Sequence, residues 1–170
     1  MALFLPTAAV ETLLEITPEM LEAMGVNTVL LDVDNTLALH GSQKPFPGSV
    51  EWTHEMRRRG FRMIIMSNNF EKRVAPFAAQ YGLPFLSFSI KPFPAAYYRA
   101  VHKLGAKRSQ AVAVGDQIFT DVVGANLSFM KSILLTPRGT ETGWSIRLRR
   151  AMERPIRRRI AQREQKGEKR

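Results

Sequence analysis

Val29-Leu30-Leu31-Asp32-Val33-Asp34-Asn35-Thr36 runs three apolar residues straight into two aspartates spaced i, i+2, with a threonine two positions further on. An apolar run ending in carboxylates is the pattern of a buried strand that delivers charge to the carboxyl edge of a sheet, where open α/β folds bind ligands. Strand alternation sends i and i+2 side chains to one face. Both aspartates therefore lean into one small volume, which is costly unless a cation or a reaction uses them. A strand running into an Asp-rich turn is the plainer reading of the same letters, and the rest of the chain decides between the two.

Outward from this stretch, strands alternate with helices. Residues 28–33 form the first strand of the pattern, and 40–48 a loop rich in Gly, Ser and Pro. Ser49 is suited to cap a helix that ends at Arg59, with Gly60 as its left-handed stop. The spacing then predicts a strand over 61–66, a helix over 71–81 closed by Gly82, and a strand over 85–90. A helix follows from Pro94 to Gly105, then a strand over 111–114, a helix to about Leu127 and a strand over 132–135. Residues 8–24 read as a short helix pair broken near Thr17-Pro18, with Thr17 as N-cap. This alternation predicts an α/β, Rossmann-like parallel sheet sandwiched between helices.

Each of the four major strands is followed by polar residues of a distinct chemical type: Asp32 and Asp34, then Ser67-Asn68-Asn69, then Lys91, then Gly115-Asp116 with Asp121 five residues on. In a parallel sheet these endings share one edge, so residues scattered over 90 positions converge. Carboxylates at that density call for a hard divalent cation, and oxygen ligands beside phosphate point to Mg²⁺. The hydroxyl and ammonium would hold non-reacting phosphate oxygens. Singly, each has a duller reading: Asp116 as a turn residue, Ser67 as an N-cap, Lys91 as a strand-end lysine, Asp121 as a first-turn acid favoured by the helix dipole. Together these readings need four coincidences in order.

The four motifs, Asp32-Val33-Asp34-Asn35-Thr36, Ser67, Lys91 and Gly115-Asp116-Gln117-Ile118-Phe119-Thr120-Asp121, resemble those of the haloacid-dehalogenase-like (HAD) phosphatases over about residues 10–136. More narrowly, the Asp-Asn-Thr-Leu ending, Ser67-Asn68-Asn69, Lys91-Pro92 and Gly-Asp-Gln-x-x-Thr-Asp resemble the subfamily IIIA, YqeG-like group, which is related to phosphatidylglycerophosphate phosphatases. The resemblance implies that Asp32 is the nucleophile and forms an aspartyl-phosphate, and that Asp34 is the general acid and base. It implies that Mg²⁺ is held by Asp32, the backbone carbonyl of Asp34 and Asp116. Ser67, Asn68 and Lys91 would bind the phosphoryl group, with Thr36 and Asp121 supporting the reacting groups from behind. Only 30 residues separate Thr36 from Ser67 and 23 separate Ser67 from Lys91, each interval filled by one helix and one strand. That leaves no room for a lid, and an open, capless site suits a large or anchored phosphorylated substrate such as a lipid head group.

Composition divides the chain in two. Residues 1–137, the expected phosphatase domain, carry 13 Lys+Arg against 11 Asp+Glu, whereas residues 138–170 carry 12 against 4. In that basic tail Trp144, Leu148, Met152, Ile156 and Ile160 recur every four residues among arginines, with Pro155 placed to kink or break a helix. The pattern reads as a part-amphipathic helix at an anionic membrane surface, or equally as a solvated, disordered basic appendage. RNA or ribosome binding through the same charge is a further reading, though no stacking aromatic follows Trp144. There is no cysteine, so disulfides and thiolate metal sites are excluded and a reducing compartment is expected. The longest apolar runs are too short to span a bilayer, and the N-terminus lacks the features of a secretory signal. A cytoplasmic protein, peripheral to the inner membrane face if the tail binds there, is the expectation. His40, His54 and His102 have no ligand spacing and read as surface or loop residues. Trp52 reads as packing.

Overall fold

The computed structural model describes residues 2–139 and 144–165. Six strands form one parallel sheet: β1 (Ala8–Val10), β2 (Thr28–Leu31), β3 (Arg62–Met66), β4 (Phe85–Leu86), β5 (Ala111–Gly115) and β6 (Lys131–Leu135), in the order β1-β6-β5-β2-β3-β4. From the central β2 the chain winds one way through β3 and β4. It then returns to build β5 and β6 on the other side. The reversal lies between β2 and β5, and a crevice at the carboxyl ends of those strands is where such sheets bind ligands.

Period-two burial explains the layering. On one face Val29 and Leu31, Met63 and Ile65, Val112 and Val114 share a core with Leu21, Trp52, Met56, Val74, Phe77 and Tyr81. These last come from α1 (Pro18–Ala23), α2 (Ser49–Arg58) and α3 (Glu71–Tyr81). On the other face Leu30, Ile64, Met66, Ala111 and Ala113 pack against Ala96, Tyr97, Ala100 and Val101 of α4 (Pro94–Lys103) and Ala125 of α5 (Val123–Leu127). Burying so many branched side chains, at about 1.5–3 kcal/mol each, is what holds the three layers together.

Four local readings differ from the sequence expectation. Residues 8–10 form edge strand β1, which pairs in parallel with Ile133, Leu134 and Leu135 of β6; only the second half of 8–24 becomes helix α1, with Thr17 accepting from the Met20 amide at 3.1 Å as N-cap. Gly48, at φ +80°, caps α2 in place of Ser49. The Ser49 hydroxyl instead donates to the Phe46 carbonyl at 2.6 Å and bonds to the Tyr81 hydroxyl at 2.8 Å. The strand over 85–90 stops at Leu86, because Phe88 and Ile90 take left-handed backbone angles, φ +44° and +57°, that leave the ladder.

The fourth difference is in the tail. Helix α6 runs Trp144–Gln165 straight through Pro155. Ile156 and Ile160 join Ile118, Val122, Leu134, Phe4 and Leu5 in a third apolar cluster, and Glu153 is fully buried. The side chain of Trp144 lies outside the described residues. No helix among the described residues is long and apolar enough to cross a membrane.

Candidate active site

Four strand ends place the predicted residues at one edge. Asp32 follows β2 and continues the ladder through its amide to Val114 O at 2.9 Å. Ser67 follows β3, with its amide on Leu86 O and its carbonyl accepting from Ser89. Lys91 is fixed by Asn68, whose Oδ1 accepts from the Lys91 amide at 2.7 Å and whose Nδ2 donates to the Lys91 carbonyl at 3.2 Å. Asn68 thus ties the loop after β3 to the loop after β4. Ser67 Oγ accepts from the Asn69 amide at 3.1 Å.

At the centre the Lys91 ammonium donates to Asp32 Oδ1 at 2.5 Å and to Asp121 Oδ1 at 2.6 Å, all three side chains being buried. Asp32, Asp116 and Asp121 each bring a carboxylate oxygen within 4.8 Å of the others. Burial pushes the Asp32 carboxyl well above its ordinary value, against the pull of Lys91, and the charges of Asp121 and Asp116 push the same way as burial. Burial alone would lower Lys91, but Asp121 and Asp32 outweigh it and hold the ammonium above its usual range. A buried cluster with more carboxylates than its lysine neutralises, made of oxygen donors alone, fits a hard divalent cation.

Asp121 reaches the cluster from one π-helical turn, Ile118–Val122. Such turns concentrate at functional sites. Its other oxygen accepts from the Gln117 amide at 3.2 Å. Gly115 makes room for it: a Cβ there would stand 2.3 Å from Asp121 Cγ. Tyr97 braces the turn from α4, donating to the Thr120 carbonyl at 2.7 Å. Burial, and then the charge of Asp121, raise the Tyr97 phenol, which stays a donor. Gly124 is its counterpart, since a Cβ would meet the Tyr97 hydroxyl at 2.3 Å.

The Asp34 carboxylate is turned away from this cluster. Its Oδ1 accepts from Arg73 at 2.6 Å and the Gly41 amide at 3.1 Å, with His40 Nδ1 at 3.4 Å, and its Oδ2 accepts from Asn69 at 2.8 Å. This fits a metal contact made by the Asp34 backbone and not its side chain. Asn35 takes a left-handed turn, φ +58°, which asparagine tolerates. Buried Thr36 Oγ1 finds no hydrogen-bond partner among the described residues. Trp52 is packing, its indole donating to Ile16 O at 2.8 Å.

Asn69, of the Ser67-Asn68-Asn69 set, surrounds Asp34 together with Arg73 and His40, which no sequence motif marks, and none marks the three residues by which α6 enters the site. Arg150 pairs with Asp116 Oδ2 and donates to the Asp116 carbonyl at 2.8 Å; Arg157 also reaches that carbonyl. Glu153 Oε1 accepts from the Ile118 amide at 2.7 Å, at the start of the π-helical turn, and its Oε2 pairs with Arg150 at 3.2 Å and Arg157 at 3.4 Å. His40 sits in an exposed loop as expected, yet its imidazole lies beside Asp34.

A haloacid dehalogenase-like hydrolase family model matches residues 5–127. The chain is 37% identical over 153 residues to "Probable phosphatase YqeG" from Bacillus subtilis, spanning 90% of this chain and 89% of that one. Among solved structures, NagD from E. coli K-12 superposes with a TM-score of 0.57 at 12% identity, covering 68% of this chain and 90% of that one. CbbY from Rhodobacter sphaeroides does so with a TM-score of 0.54 at 15% identity, covering 69% and 89%. At these identities the two structures report on the fold alone.

Proposed function

Because this chain belongs to the haloacid dehalogenase-like hydrolase family and is a phosphatase within it, we propose that it cleaves phosphomonoesters through an aspartyl-phosphate on Asp32, with Mg²⁺ as cofactor. The observation that carries this reading is the buried Asp32–Lys91–Asp121 arrangement beside Asp116. Asp32 stands at a strand end bonded to Lys91, where a cation would favour its ionised form, placed to attack phosphorus and expel the alcohol. Lys91 and Ser67 would hold the non-reacting oxygens, and Asn68 keeps Lys91 in register. Electrostatic positioning of this kind supplies most of the barrier lowering in phosphoryl transfer. Asp34, once released from Arg73 and Asn69, would donate a proton to the leaving oxygen and take one from the incoming water. Arg73, Asn69 and His40 hold it within the loop that flanks the opening. A divalent cation on Asp32 and Asp116 would neutralise charge on the phosphoryl group.

For the substrate, the reading is a lipid-borne phosphomonoester, with phosphatidylglycerophosphate the best candidate. The connections after β2 and β3 are spent on α2 and α3, so no inserted lid closes over the site. A small ester would meet few contacts there, and uniform binding would be weak. An anchored head group gains from its high local concentration instead. The same chemistry on a soluble ester or nucleotide is the competing case. RNA or ribosome binding through the tail is less well supported, because Arg150 and Arg157 turn inward onto Asp116.

The test compares phosphatidylglycerophosphate in mixed micelles with sugar phosphates, nucleotides and an aryl phosphate, using the full chain and Asp32→Asn. The expected result is a kcat/KM for the lipid at least about a hundredfold higher, roughly 2.7 kcal/mol, and no turnover of any substrate by Asp32→Asn. A soluble ester turned over as efficiently as the lipid would remove the lipid assignment. Near-normal turnover by the variant would remove the covalent mechanism.

A further inference from the structure

The rim of the site exposes apolar side chains that the chemistry described above does not use. Phe70, Phe88, Ile90 and Phe93 are each between 51% and 72% exposed. All four belong to the two loops that position Ser67 and Lys91. Phe70 stacks on Phe88, ring centroids 5.8 Å apart at 18°, and the Phe88 amide donates to Asn69 O at 2.8 Å. Phe93 donates through its amide to Ile90 O at 3.0 Å, closing the turn around Lys91. Along this segment residues alternate: Phe88 and Ile90 face outward while Ser89 and Lys91 are buried.

Phe88 and Ile90 hold left-handed backbone angles, a conformation that is uncommon for phenylalanine and an outlier for a β-branched residue. Strain of this kind persists where the surrounding structure enforces it and clusters at functional sites. Here it presents two apolar side chains to solvent directly beside the catalytic lysine.

Charge on the same edge indicates what covers these side chains. Lys72 is exposed two residues from Phe70. Helix α6, which reaches Asp116 through Arg150 and Arg157, carries exposed Arg154 and Arg158. The chain as a whole carries a formal charge of +10. Apolar protrusions beside an open site, on a strongly cationic protein, match an anionic bilayer: aromatics enter the head-group layer and cations pair with lipid phosphates.

We infer that the rim formed by Phe70, Phe88, Ile90 and Phe93 docks the enzyme on an anionic membrane with the Asp32–Lys91 opening facing the lipid. This rests on, and extends, the reading that the substrate phosphate is borne by a lipid. The docking element is the two loops at the active site.

The absence of cysteine makes a direct test available. Phe93→Cys in the full chain is labelled with an environment-sensitive fluorophore and mixed with vesicles of phosphatidylglycerol and phosphatidylcholine. A label at Phe129→Cys serves as control, because Phe129 is 81% exposed but precedes β6 at the opposite edge of the sheet. The expected result is a blue shift at position 93, weakened by added salt, and none at 129. In parallel, the triple variant Phe70→Ser, Phe88→Ser, Phe93→Ser should lose at least about tenfold in vesicle partitioning, with aryl phosphate turnover within about twofold of wild type. No shift at 93, an equal shift at 129, or undiminished vesicle binding by the triple variant each overturns the docking surface. If docking holds and the lipid phosphomonoester is no better a substrate than a soluble one, the substrate reading fails and the docking surface stands.

Discussion

The guanidinium of Arg150 is paired with the carboxylate of Asp116 and also donates to the Asp116 backbone carbonyl at 2.8 Å. Asp116 is fully buried and belongs to the acidic cluster suited to a divalent cation. A residue from the final helix therefore supplies the positive charge at a position where the metal would supply it.

Arg150→Ala should separate these two sources of charge. Without metal the variant should melt lower than wild type, since removing one partner of a buried pair costs up to about 3 kcal/mol. With Mn²⁺ or Mg²⁺ the gain in Tm should exceed that of wild type, and the Mn²⁺ dissociation constant should fall by about tenfold, or 1.4 kcal/mol. Titration calorimetry and thermal melts measure both. Identical metal affinity in the two proteins would show that the guanidinium does not compete for the site.

Asp32→Asn should be more stable than wild type in metal-free buffer near pH 8. The folded-state pKa of Asp32 is raised, so the fold favours the protonated form. The resulting stability is fully present at acid pH and is lost as pH rises through the folded value. The neutral amide escapes that loss. The difference in Tm should therefore widen as pH rises and close towards pH 4. A gain of about 1 kcal/mol corresponds to roughly 2–4 °C for a chain of this size. A variant less stable than wild type across the whole range would contradict the assignment of burial as the dominant cause.

Gly115→Ala should disable the site from beneath. The added methyl overlaps Asp121, which must leave Lys91 to make room. We expect kcat/KM for an aryl phosphate to drop at least about a hundredfold, with a stability loss of about 1–3 kcal/mol from overpacking. Activity within threefold of wild type would mean that Asp121 is dispensable for placing Lys91.

Glu153→Ala tests whether α6 is part of the site. The substitution leaves the Ile118 amide unsatisfied and Arg150 and Arg157 without their shared carboxylate. A loss of about 3 kcal/mol is expected, with reduced turnover because the turn carrying Asp121 loosens. Unchanged melting and turnover would show that the helix contributes nothing to the cluster.

The strands that lead into Asp32, Ser67 and Asp116 were legible because their pattern is local. Runs such as Val29-Leu30-Leu31 and Met63-Ile64-Ile65-Met66 are buried on both faces of the sheet, and their polar endings follow at once. Strand β1 was not legible, because three half-buried residues owe their conformation to β6, more than 120 positions away. The early end of β4 depends on a backbone conformation that the types of Phe88 and Ile90 argue against. The docking of α6 was hidden for another reason. Arg150, Glu153 and Arg157 have the same composition as a solvated basic helix, and only the position of Asp116 and the Ile118 amide turns them inward. Arg73 and His40 reach Asp34 from a helix and a loop with no spacing signal to mark them.

The pairing of Arg150 and Arg157 with Asp116 also imposes an order in time. A chain made from its N-terminus releases Asp32, Asp116 and Asp121 before α6, and the sheet is complete at Leu135. At about 5–20 residues per second the arginines follow within roughly ten seconds. Until α6 docks, Asp116 lacks both of its arginines. A divalent cation would reach Asp116 most easily before α6 docks, and afterwards would have to displace the Arg150 guanidinium.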